Sequence, residues 1–388
     1  MPADLAVIGL GHTGLPLAQA ATAAGVRTIG YDTDPRTVDA INAGRIPSGA
    51  LAAADVRRML KGGFRATADP AALGRVRTAV ICAPTPDVAA AGRILAAHLR
   101  PHTTVVLESA VRPGTTEELL RPILETSGLR AGRDFHLAYS PSRVPGAPKV
   151  IAGCTPACTE AAAVFYGRFA ERVVRARGPR EAETVKLLET NYRHVNIALA
   201  NEMAVFCHDA GIDLWDVIRC AETKPYGFHA FRPGPGVGGP GGPLPLPLPL
   251  VELAQQINAR MPSYVVQRAA ALLNEHGKSL RGARVLLLGV TYKADFPDQT
   301  GAPAREIGTL LAGMGAHLSY HDPYAPTWHL LDRPVPRADS LWDAAADADL
   351  TVLLQHQRTY DLQGLAVKAQ LLLDTRGAAP AGAAATRL

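Results

Sequence analysis

Short apolar runs rich in β-branched residues alternate with Ala/Leu-rich stretches through the first 175 or so residues of the chain. The runs are DLAVIGL, VRTIGYD, TAVICAP, TTVVLES and DFHLAYS. Each has the length of one buried strand, and each stretch between them has room for a helix. The alternation predicts a parallel sheet with helices on both faces.

The pattern becomes continuously helical between about residues 180 and 221, in PREAETVKLLETNYRHVNIALANEMAVFCHDAG and then IDLWDVIRCAE. The first of these segments is too long for an ordinary crossover helix, so we expect it to form a spine between two domains. Its apolar residues recur every three or four positions, which predicts an apolar stripe along one face. The residues of this stripe are Val185, Leu188, Val195, Leu199 and Met203.

A second β/α series begins at ARVLLLGVTYK and continues through HLSYHD, DLTVLLQ and QLLLDT, and the tail GAAPAGAAATRL is predicted to be frayed. The predicted fold class is therefore α/β, with two Rossmann-like doubly wound domains joined by a central long-helix domain. The predicted domains are a dinucleotide-binding domain at 1–178, a central helical domain at 179–277 and a second Rossmann-like domain at 278–388.

Composition narrows the class of protein. Of the 388 residues 47% are apolar and 19% are charged, which is typical of a soluble globular chain, and no apolar run is long enough to span a membrane. The net charge of +5 comes from scattered residues, so no nucleic-acid partner is predicted. No signal peptide is predicted, because the first residues lead directly into a strand. Five cysteines, an odd number, fit a reducing cytoplasm; we expect them to be buried and inert, with no metal site.

The strongest chemical signal follows the first run. The strand leads into GLGHTG and a helical stretch, and the second strand ends at an acidic residue. This is the dinucleotide-binding pattern: glycines allow a tight turn and a close approach of the pyrophosphate, and the acid binds the ribose hydroxyls. The acid would repel a 2′-phosphate, so NAD is the predicted cofactor. The predicted residues are Gly9, Gly11, His12, Thr13, Gly14 and Asp32.

Seven segments, in order and in spacing, resemble the UDP-glucose/GDP-mannose dehydrogenase family over nearly the whole chain. They are GLGHTGLPLA, VICAPTP, ESAVRPGTTEEL, YSPSRVPG, ETVKLLETNYRHVNIALANEMAVFCHDAGID, RPGPGVGG and LGVTYKADFPDQTGAP. The branch that acts on UDP-N-acetylhexosamines is the most similar. The resemblance implies a homodimer whose subunit has an NAD-binding domain, a central helical spine and a UDP-binding domain. It also implies two oxidations of a sugar hydroxymethyl group, giving a uronic acid and two NADH.

The resemblance assigns further residues. Lys186 is a retained catalytic position, and the long helix keeps Arg193, Asn196 and Glu202. On the cofactor side the matching residues are Pro84, Thr85, Glu108 and Ser109. The segment that wraps the sugar nucleotide implies the substrate-binding residues Lys224, Tyr226, Phe231, Arg232, Gly236, Gly238 and Gly239, with Tyr139 as a further candidate. For Tyr139, Tyr192 and Tyr226 we weigh a role as general acid against simple aromatic packing.

The chain departs from the family at its chemical centre. Where the family reads G-V-G-G-H-C-I-P-V-D-P, residues 236–246 read GVGGPGGPLPL, so Gly241 replaces the nucleophilic cysteine and Pro245 the aspartate. Three further polar positions differ. Ser142 stands for a glutamate, Thr190 for an asparagine (Asn191 adjoins it), and Thr300 for an arginine. Lys186, Thr190, Asn191 and Ser142 are the candidate catalytic residues.

A missing nucleophile excludes the family's route to an acid, because the second oxidation requires an aldehyde held as a thiohemiacetal. We therefore predict a reaction that stops short of the acid, in its favoured form a redox-neutral dehydration or epimerisation through transient oxidation of a sugar hydroxyl. Alternatives are a two-electron dehydrogenase that releases an aldehyde or ketone, and an inactive NAD-binding pseudoenzyme. The predicted partner is a sugar nucleotide or a nucleoside, and the predicted assembly is a homodimer.

Overall fold

The computed structural model describes residues 3–45, 51–84, 87–143, 146–236 and 248–388. Two compact units divide the chain, Met1–Glu189 and Thr190–Leu388. The predicted strands and helices are present in both. The α/β class and the Rossmann-like architecture with a central helical region are thus confirmed. The three-domain boundaries at residues 178 and 277 stay a prediction.

The described part of the first unit forms one sheet of eight strands in the order β3-β2-β1-β4-β5-β6-β7-β8. Neighbouring strands are parallel except β6 and β7, which pair antiparallel. The first six follow the order found in dinucleotide-binding sheets. The strands are β1 (Leu5–Ile8), β2 (Thr28–Tyr31), β3 (Arg65–Thr67), β4 (Thr78–Ile81), β5 (Thr104–Leu107), β6 (His136–Tyr139), β7 (Lys149–Gly153) and β8 (Val173–Arg175).

Helices cover both faces of this sheet, as expected for strands that are apolar on both sides. All four residues of β1, β4 and β5 are buried. The helices are α1 (Gly14–Ala23), α2 (Pro35–Asn42), α3 (Ala53–Lys61), α4 (Val88–Ala96), α5 (Arg121–Glu125) and α6 (Pro156–Tyr166). A 3₁₀-helix spans Pro70–Arg75, and a π-helix spans Thr115–Leu120.

The long helix of the sequence is α7, which spans Pro179–Asp209. Its first part belongs to the first unit and the remainder to the second. The helices that follow are α8 (Leu214–Ala221), α9 (Pro249–Ala259), α10 (Met261–Glu275), α11 (Pro303–Gly313), α12 (Leu341–Asp347) and α13 (Leu362–Lys368).

The second unit contains a parallel sheet of five strands in the order β10-β9-β13-β14-β15, together with the antiparallel pair β11 and β12. Apart from that pair, the order is that of flavodoxin-like sheets and differs from the order in the first unit. The strands are β9 (Arg284–Leu288), β10 (His317–His321), β11 (His329–Leu330), β12 (Arg333–Pro334), β13 (Leu350–Leu353), β14 (Leu372–Asp374) and β15 (Thr386–Arg387).

Two expectations from the sequence are wrong. The tail is not frayed, because β15 pairs with β14 and Leu388 is only 6% exposed. Its carbonyl oxygen accepts a hydrogen bond from Nε1 of Trp215. The cysteines are not uniformly buried either, because Cys220 is exposed on α8 and Cys154 is half-buried. Among the described helices, none is both long and apolar enough to cross a membrane.

Candidate functional site

The glycine turn of the first unit connects β1 to α1 through residues 9–13. Gly9 has a φ of +93°, and a Cβ atom there would lie 3.1 Å from the backbone nitrogen of Ala83 at the end of β4. A Cβ on Gly14 would lie 1.9 Å from the carbonyl oxygen of Gly9. Both positions therefore require glycine. Among the described atoms none would lie within 4 Å of a Cβ added to Gly11, so the space beside its backbone is open, as the close approach of a pyrophosphate requires.

Asp32 follows β2 and is half-buried. Its Oδ2 accepts a hydrogen bond from the backbone nitrogen of Leu10 at 2.9 Å, and its Oδ1 accepts one from Asp34 at 3.0 Å. The carboxylate therefore lies beside the glycine turn, as the sequence predicts. His12 is exposed, and Thr13 precedes the first residue of α1 without capping it through its side chain. These residues fit a dinucleotide whose phosphates meet the N-terminus of α1.

The other predicted cofactor residues lie after β4 and β5. Pro84 is exposed, whereas Thr85 lies outside the described residues. Glu108 and Ser109 are buried. Oγ of Ser109 donates a hydrogen bond to the carbonyl oxygen of Ala83 at 2.5 Å. Glu108 and Ser109 therefore bond to other protein groups near the ends of β4 and β5. Their contact with a cofactor stays a prediction.

Glu108 belongs to a buried polar cluster. One carboxylate oxygen pairs with Nζ of Lys149, and the other accepts a hydrogen bond from Tyr166 at 2.7 Å. Burial beside Glu108 holds the pKa of the Tyr166 hydroxyl well above its usual value. Because a buried carboxylate is costly unless it is paired and hydrogen-bonded, this cluster satisfies the charge of Glu108 inside the sheet.

Tyr139, predicted as a substrate-binding residue, is fully buried at the end of β6. Its hydroxyl donates a hydrogen bond to the carbonyl oxygen of Ser109 at 3.1 Å, and burial raises the pKa of that hydroxyl above its usual range. The Tyr139 hydroxyl is thus bonded inside the protein, and its role in substrate binding or as a general acid stays a prediction. Ser142 is half-buried, and the neighbouring Arg143 ion-pairs with Glu189.

Lys186 lies half-buried in the first unit's part of α7. Three residues earlier, Glu183 is completely buried, a position that the sequence analysis missed. Its carboxylate accepts hydrogen bonds from the backbone nitrogens of Gly114 (2.5 Å) and Thr116 (2.8 Å), and from Oγ1 of Thr116 (2.6 Å). Desolvation raises the pKa of Glu183. Glu183 thus ties the helix of Lys186 to the segment that follows β5. The only sequence signal was its spacing of one turn from Lys186.

Thr190 and Asn191 are half-buried at the start of the second unit. In the same unit the predicted substrate segment is mostly exposed. Nζ of Lys224 lies 5.6 Å from the ring centroid of Tyr226, which is 76% exposed. Arg232 approaches Glu222 at 3.7 Å. These three predicted residues therefore offer two cations and an aromatic face to solvent.

Phe231 lies inside an apolar groove of about 520 Å³, also in the second unit. Its ring packs edge-to-face against Tyr192 at 5.7 Å, and the hydroxyl of Tyr192 lies 3.3 Å from Nδ1 of His229. Leu199 and Phe228 also line the groove. Of the tyrosines considered as acids, Tyr192 alone lines this groove.

The glycine-rich loop is anchored at its beginning. The backbone nitrogen of Gly234 donates to Oδ1 of Asn201 at 2.9 Å. Gly236 has a φ of +84°, and a Cβ there would lie 3.2 Å from Cγ of Pro303 at the start of α11. Gly238, Gly239 and the replaced positions Pro240 to Leu246 lie outside the described residues.

Comparison with known proteins identifies the family. The UDP-glucose/GDP-mannose dehydrogenase family matches through its NAD binding domain over residues 3–151, its central domain over 180–274 and its UDP binding domain over 286–380. NAD is therefore the cofactor, and the matched NAD binding domain contains the glycine turn. The enzyme is of the NAD-dependent oxidoreductase type, and its small-molecule partner is a sugar nucleotide.

Individual relatives cover almost the entire chain. The UDP-N-acetyl-D-mannosamine dehydrogenase of Escherichia coli (strain K12) is 31% identical over 97% of this chain and 99% of its own. The structure of the UDP-D-ManNAc dehydrogenase from Pyrococcus horikoshii has a TM-score of 0.86 at 26% identity, covering 99% of this chain and 98% of that one. The UDP-N-acetyl-mannosamine dehydrogenase structure from Staphylococcus aureus has a TM-score of 0.84 at 26% identity, with the same coverage. The chain belongs to the UDP-glucose/GDP-mannose dehydrogenase family.

Proposed function

We propose that this chain oxidises a hydroxyl of a nucleotide sugar or nucleoside sugar transiently and then restores it, with dehydration or epimerisation as the net reaction and no uronic acid formed. One observation carries the proposal. The NAD turn with Gly9, Gly11, Gly14 and Asp32 is complete, while Gly241 occupies the position of the family's nucleophile. A glycine cannot form the thiohemiacetal that the second oxidation requires.

The described cysteines supply no evident substitute. Burial raises the pKa of the Cys82 thiol well above its usual value and that of Cys154 to about 12, so both are protonated thiols at neutral pH. Cys158 and Cys207 are buried. Cys220 is exposed, but its sulfur lies on α8 near Arg219 and Asp216 rather than on the glycine-rich loop.

When bound, NAD supplies reversible hydride acceptance, so a hydroxyl becomes a carbonyl and later an alcohol again. The carbonyl acidifies the neighbouring C–H bond. In our proposal Nζ of Lys186 takes that proton and gives it back, either to a β-hydroxyl that leaves as water or to the opposite face of the same carbon. The O–H proton released in the oxidation passes to solvent and returns when the alcohol is restored. The glycine at position 241 suits this route, because no thiol there can trap the carbonyl as a thiohemiacetal.

The names of the relatives favour a second candidate. Two relatives that cover almost the entire chain, from Escherichia coli and Pyrococcus horikoshii, are named as dehydrogenases of UDP-N-acetyl-D-mannosamine, which makes a two-electron dehydrogenase that stops at an aldehyde or ketone the alternative. That sugar nucleotide is also the first substrate to test. A nucleoside remains in the proposal because Thr300 removes one cation from the family's substrate site.

The test incubates the full chain with NAD and UDP-N-acetyl-D-mannosamine, and with a panel of other sugar nucleotides and nucleosides. The redox-neutral reaction gives a product lacking one water, or an epimer, without accumulation of NADH, and deuterium at the oxidised carbon is retained. NADH in proportion to product supports the two-electron dehydrogenase. A uronic acid overturns both proposals.

Variants separate the enzyme from a pseudoenzyme. Lys186→Ala is expected to abolish turnover and to leave NAD bound, whereas Lys61→Ala, at an exposed position of α3, is expected to change neither. Gly241→Cys is expected not to restore acid formation, because Ser142, Thr190, Pro245 and Thr300 also differ. Wild-type turnover in Lys186→Ala would remove the proposed base.

We also propose that the chain works as a cytoplasmic homodimer that associates through the second unit's part of α7. Tyr192, Leu199 and Phe206 are 49%, 58% and 59% exposed. They are seven residues apart, so they lie on one face of the helix beside the apolar groove. The double variant Leu199→Asp/Phe206→Asp should give a monomer by light scattering at micromolar concentration. A wild-type monomer under those conditions contradicts the proposal.

A further inference from the structure

The beginning of α7 is joined to the π-helix Thr115–Leu120 in two places, both within the first unit. Arg180 is exposed and ion-pairs with two glutamates of the π-helix. Glu183, nearly one turn further along α7, is completely buried and accepts three hydrogen bonds from Gly114 and Thr116. One of the two links is therefore open to solvent, and the other is enclosed by the protein.

The buried link is costly, because no cation stands beside Glu183. Among the described lysines and arginines none forms an ion pair with its carboxylate, and desolvation raises its pKa. A buried carboxylate needs several hydrogen-bond donors to offset its lost hydration. Two backbone N–H groups and one hydroxyl supply them here. An apolar side chain would fill the same space without this cost, so what position 183 supplies is the set of directed bonds.

The three bonds fix the direction of α7 as well as its place. Gly114 has a φ of +94°, a left-handed turn that presents its backbone nitrogen and that of Thr116 to the same carboxylate. One oxygen of Glu183 accepts from Gly114, and the other accepts from the backbone nitrogen and the hydroxyl of Thr116. A carboxylate that is bonded at both oxygens cannot rotate freely, so the helix that carries it is held as well.

The other end of the bonded segment is tied to the glycine turn. Oγ of Ser109 donates to the carbonyl oxygen of Ala83 at 2.5 Å, and Ala83 lies against the glycine turn. The hydroxyl of Tyr139 donates to the carbonyl oxygen of Ser109; burial, followed by the charge of Glu183, raises the pKa of this hydroxyl. Residues 109–116 therefore connect the NAD turn to α7.

Lys186 follows Glu183 by three residues, which is a rise of about 4.5 Å along α7 and nearly one turn. Lys186 is half-buried. The apolar cluster that contains Ala182 of α7 is also contacted by Val185 and by Val111 of the bonded segment. With the helix fixed on both sides of Lys186's turn, the position of Nζ varies only through the torsions of its own side chain.

We propose that Glu183 is a positioning residue, whose bonds to Gly114 and Thr116 hold Lys186 where it takes the substrate proton. The inference rests on the proposed function, because it assumes that Lys186 is the base. It gives Glu183 no contact with substrate or cofactor. Misplacement of a reacting group by about 1 Å costs about a hundredfold in rate, so a helix held by three bonds protects the proton transfer.

The first measurement follows position and needs no substrate. Spin labels on Ala20→Cys in α1 and Thr184→Cys in α7, both at exposed positions, report the distance between the helix after the glycine turn and the helix of Lys186 by pulsed EPR. The exposed Cys220 is replaced by serine. Labelled chains are diluted with unlabelled ones, so that only distances within one chain are measured.

Three variants are compared in this background. Glu183→Leu is expected to broaden the distance distribution at least about twofold, because α7 loses its buried link. Glu183→Asp keeps the charge but is shorter by one carbon–carbon bond of about 1.5 Å, so the mean distance is expected to shift. Arg180→Gln removes only the exposed link and is the matched control, expected to match the wild type. If Glu183→Leu fails to fold, Glu183→Asp decides alone.

The second measurement follows the reaction on the substrate that the function test identifies. Glu183→Asp is expected to lower kcat about tenfold to a hundredfold and to leave the affinity for NAD unchanged, and Glu183→Gln, which keeps the length, to recover most of the rate. With deuterium on the carbon that loses the proton, the isotope effect on kcat is expected to rise in Glu183→Asp, because proton transfer to Lys186 becomes the slowest step. A loss of stability alone would leave the isotope effect unchanged.

Wild-type distance distributions in the Glu183 variants overturn the inference, and so does a Glu183→Asp enzyme with the wild-type kcat and isotope effect. Failure of the proposed function gives a different result: Lys186→Ala then turns over like the wild type, or a uronic acid is formed, while the EPR distances still decide whether Glu183 holds α7. An inactive Lys186→Ala beside a fully active Glu183→Asp would leave the base in place and remove only the positioning role.

Discussion

The strand order reverses between β1 and β4 in the first unit and between β9 and β13 in the second. In open parallel sheets ligands bind at such switch points, at the carboxyl ends of the strands. At the first switch point Gly9 lies against Ala83, and the backbone of Gly11 faces open space. At the second, a Cβ on Gly289 would lie 2.1 Å from the carbonyl oxygen of Gln355.

The acidic residues that follow β2 and β10 show the same difference between an accessible site and a filled one. The carboxylate of Asp32 accepts hydrogen bonds from two backbone nitrogens, but the residue is only half-buried. The carboxylate is therefore still accessible to a ribose. Asp322 is completely buried. Its Oδ2 accepts from the backbone nitrogens of Val290 and Thr291, from Oγ1 of Thr291 and from Nε2 of Gln357. The two units thus use the same type of fold differently. The switch point of the first unit is open, as a dinucleotide requires, whereas the switch point of the second unit is filled by the protein's own residues.

The largest expected effect is on the filled switch point. Asp322→Ala removes the acceptor of five hydrogen bonds, four at Oδ2 and one at Oδ1 from the backbone nitrogen of Tyr324, and leaves buried backbone nitrogens unpaired. We therefore expect the free energy of unfolding of the second unit to fall by about 3–5 kcal/mol. Chemical denaturation measures this loss. Asp361→Ala, which removes only the cap of α13, should cost about 1 kcal/mol and serves as control. Equal losses in the two variants would contradict the stabilising role given to Asp322.

Gly289→Ala and Gly11→Ala test whether the two switch points differ in the room they leave for an added Cβ atom. At Gly289 an added Cβ meets backbone at 2.1 Å with φ at +77°, so we expect a loss of about 3 kcal/mol or more in the free energy of unfolding. At Gly11 an added Cβ meets no protein atom within 4 Å, so the fold should be nearly unaffected, whereas the affinity for NAD should fall because the methyl group occupies the space of the pyrophosphate. Denaturation and NAD titration of both variants decide. A Gly11→Ala protein with wild-type NAD affinity would contradict the open-site interpretation.

Asp32→Ala is expected to weaken NAD binding about tenfold to a hundredfold, because a charge-assisted hydrogen bond to the ribose is worth about 1.5–3 kcal/mol. Asp34→Ala is the matched control two residues away; it removes the cap of α2, costs about 1 kcal/mol of stability and should leave the NAD affinity unchanged. Calorimetric titration of both proteins with NAD and with NADP sharpens the result. If Asp32→Ala binds NAD like the wild type, the ribose is held elsewhere.

The sequence was sufficient to predict the residues of the open switch point in the first unit. It was not sufficient to predict the residues that fill the switch point of the second unit. The turn at Gly9 has a local signature, since its glycines and Asp32 lie within one βαβ unit. Asp322 and Gln357 are brought together only by the fold, because 35 residues separate them. The sequence also could not predict that Glu183, His194 and Tyr139 are buried, because the elements that cover them are distant in the chain. Side-chain contacts between distant elements leave no fixed spacing in the chain.

The tail shows the same limit at the level of secondary structure. Its Ala, Gly and Pro residues predicted a frayed end, but β14 offered an unpaired edge on which Thr386–Arg387 forms β15. The π-helix Thr115–Leu120 was equally invisible, because its first turn is held by Glu183 from α7. In both cases a tertiary partner overrode the local preference.

The smallest expected effect is a difference in pH dependence between the units. Burial lowers the pKa of His194 and of His321 below the ordinary 6.5, with smaller contributions from Arg193 and Arg337 respectively, while Asp322 opposes the shift at His321. A histidine with a lowered pKa in the folded state contributes stability that is complete above pH 6.5. That contribution is lost as the pH falls from 6.5 through the folded pKa, because the unfolded chain binds the proton more readily.

Glu183 in the first unit has the opposite sign. Desolvation raises its pKa above the ordinary 4.5, so its contribution is complete below that pH and is lost as the pH rises through the folded pKa. Denaturation of the wild type, His194→Phe and Glu183→Gln between pH 4.5 and 7.5 separates the two effects. His194→Phe should lose less stability on acidification than the wild type, and Glu183→Gln should lose more. Parallel pH profiles for all three proteins would show that neither group changes its affinity for protons on folding.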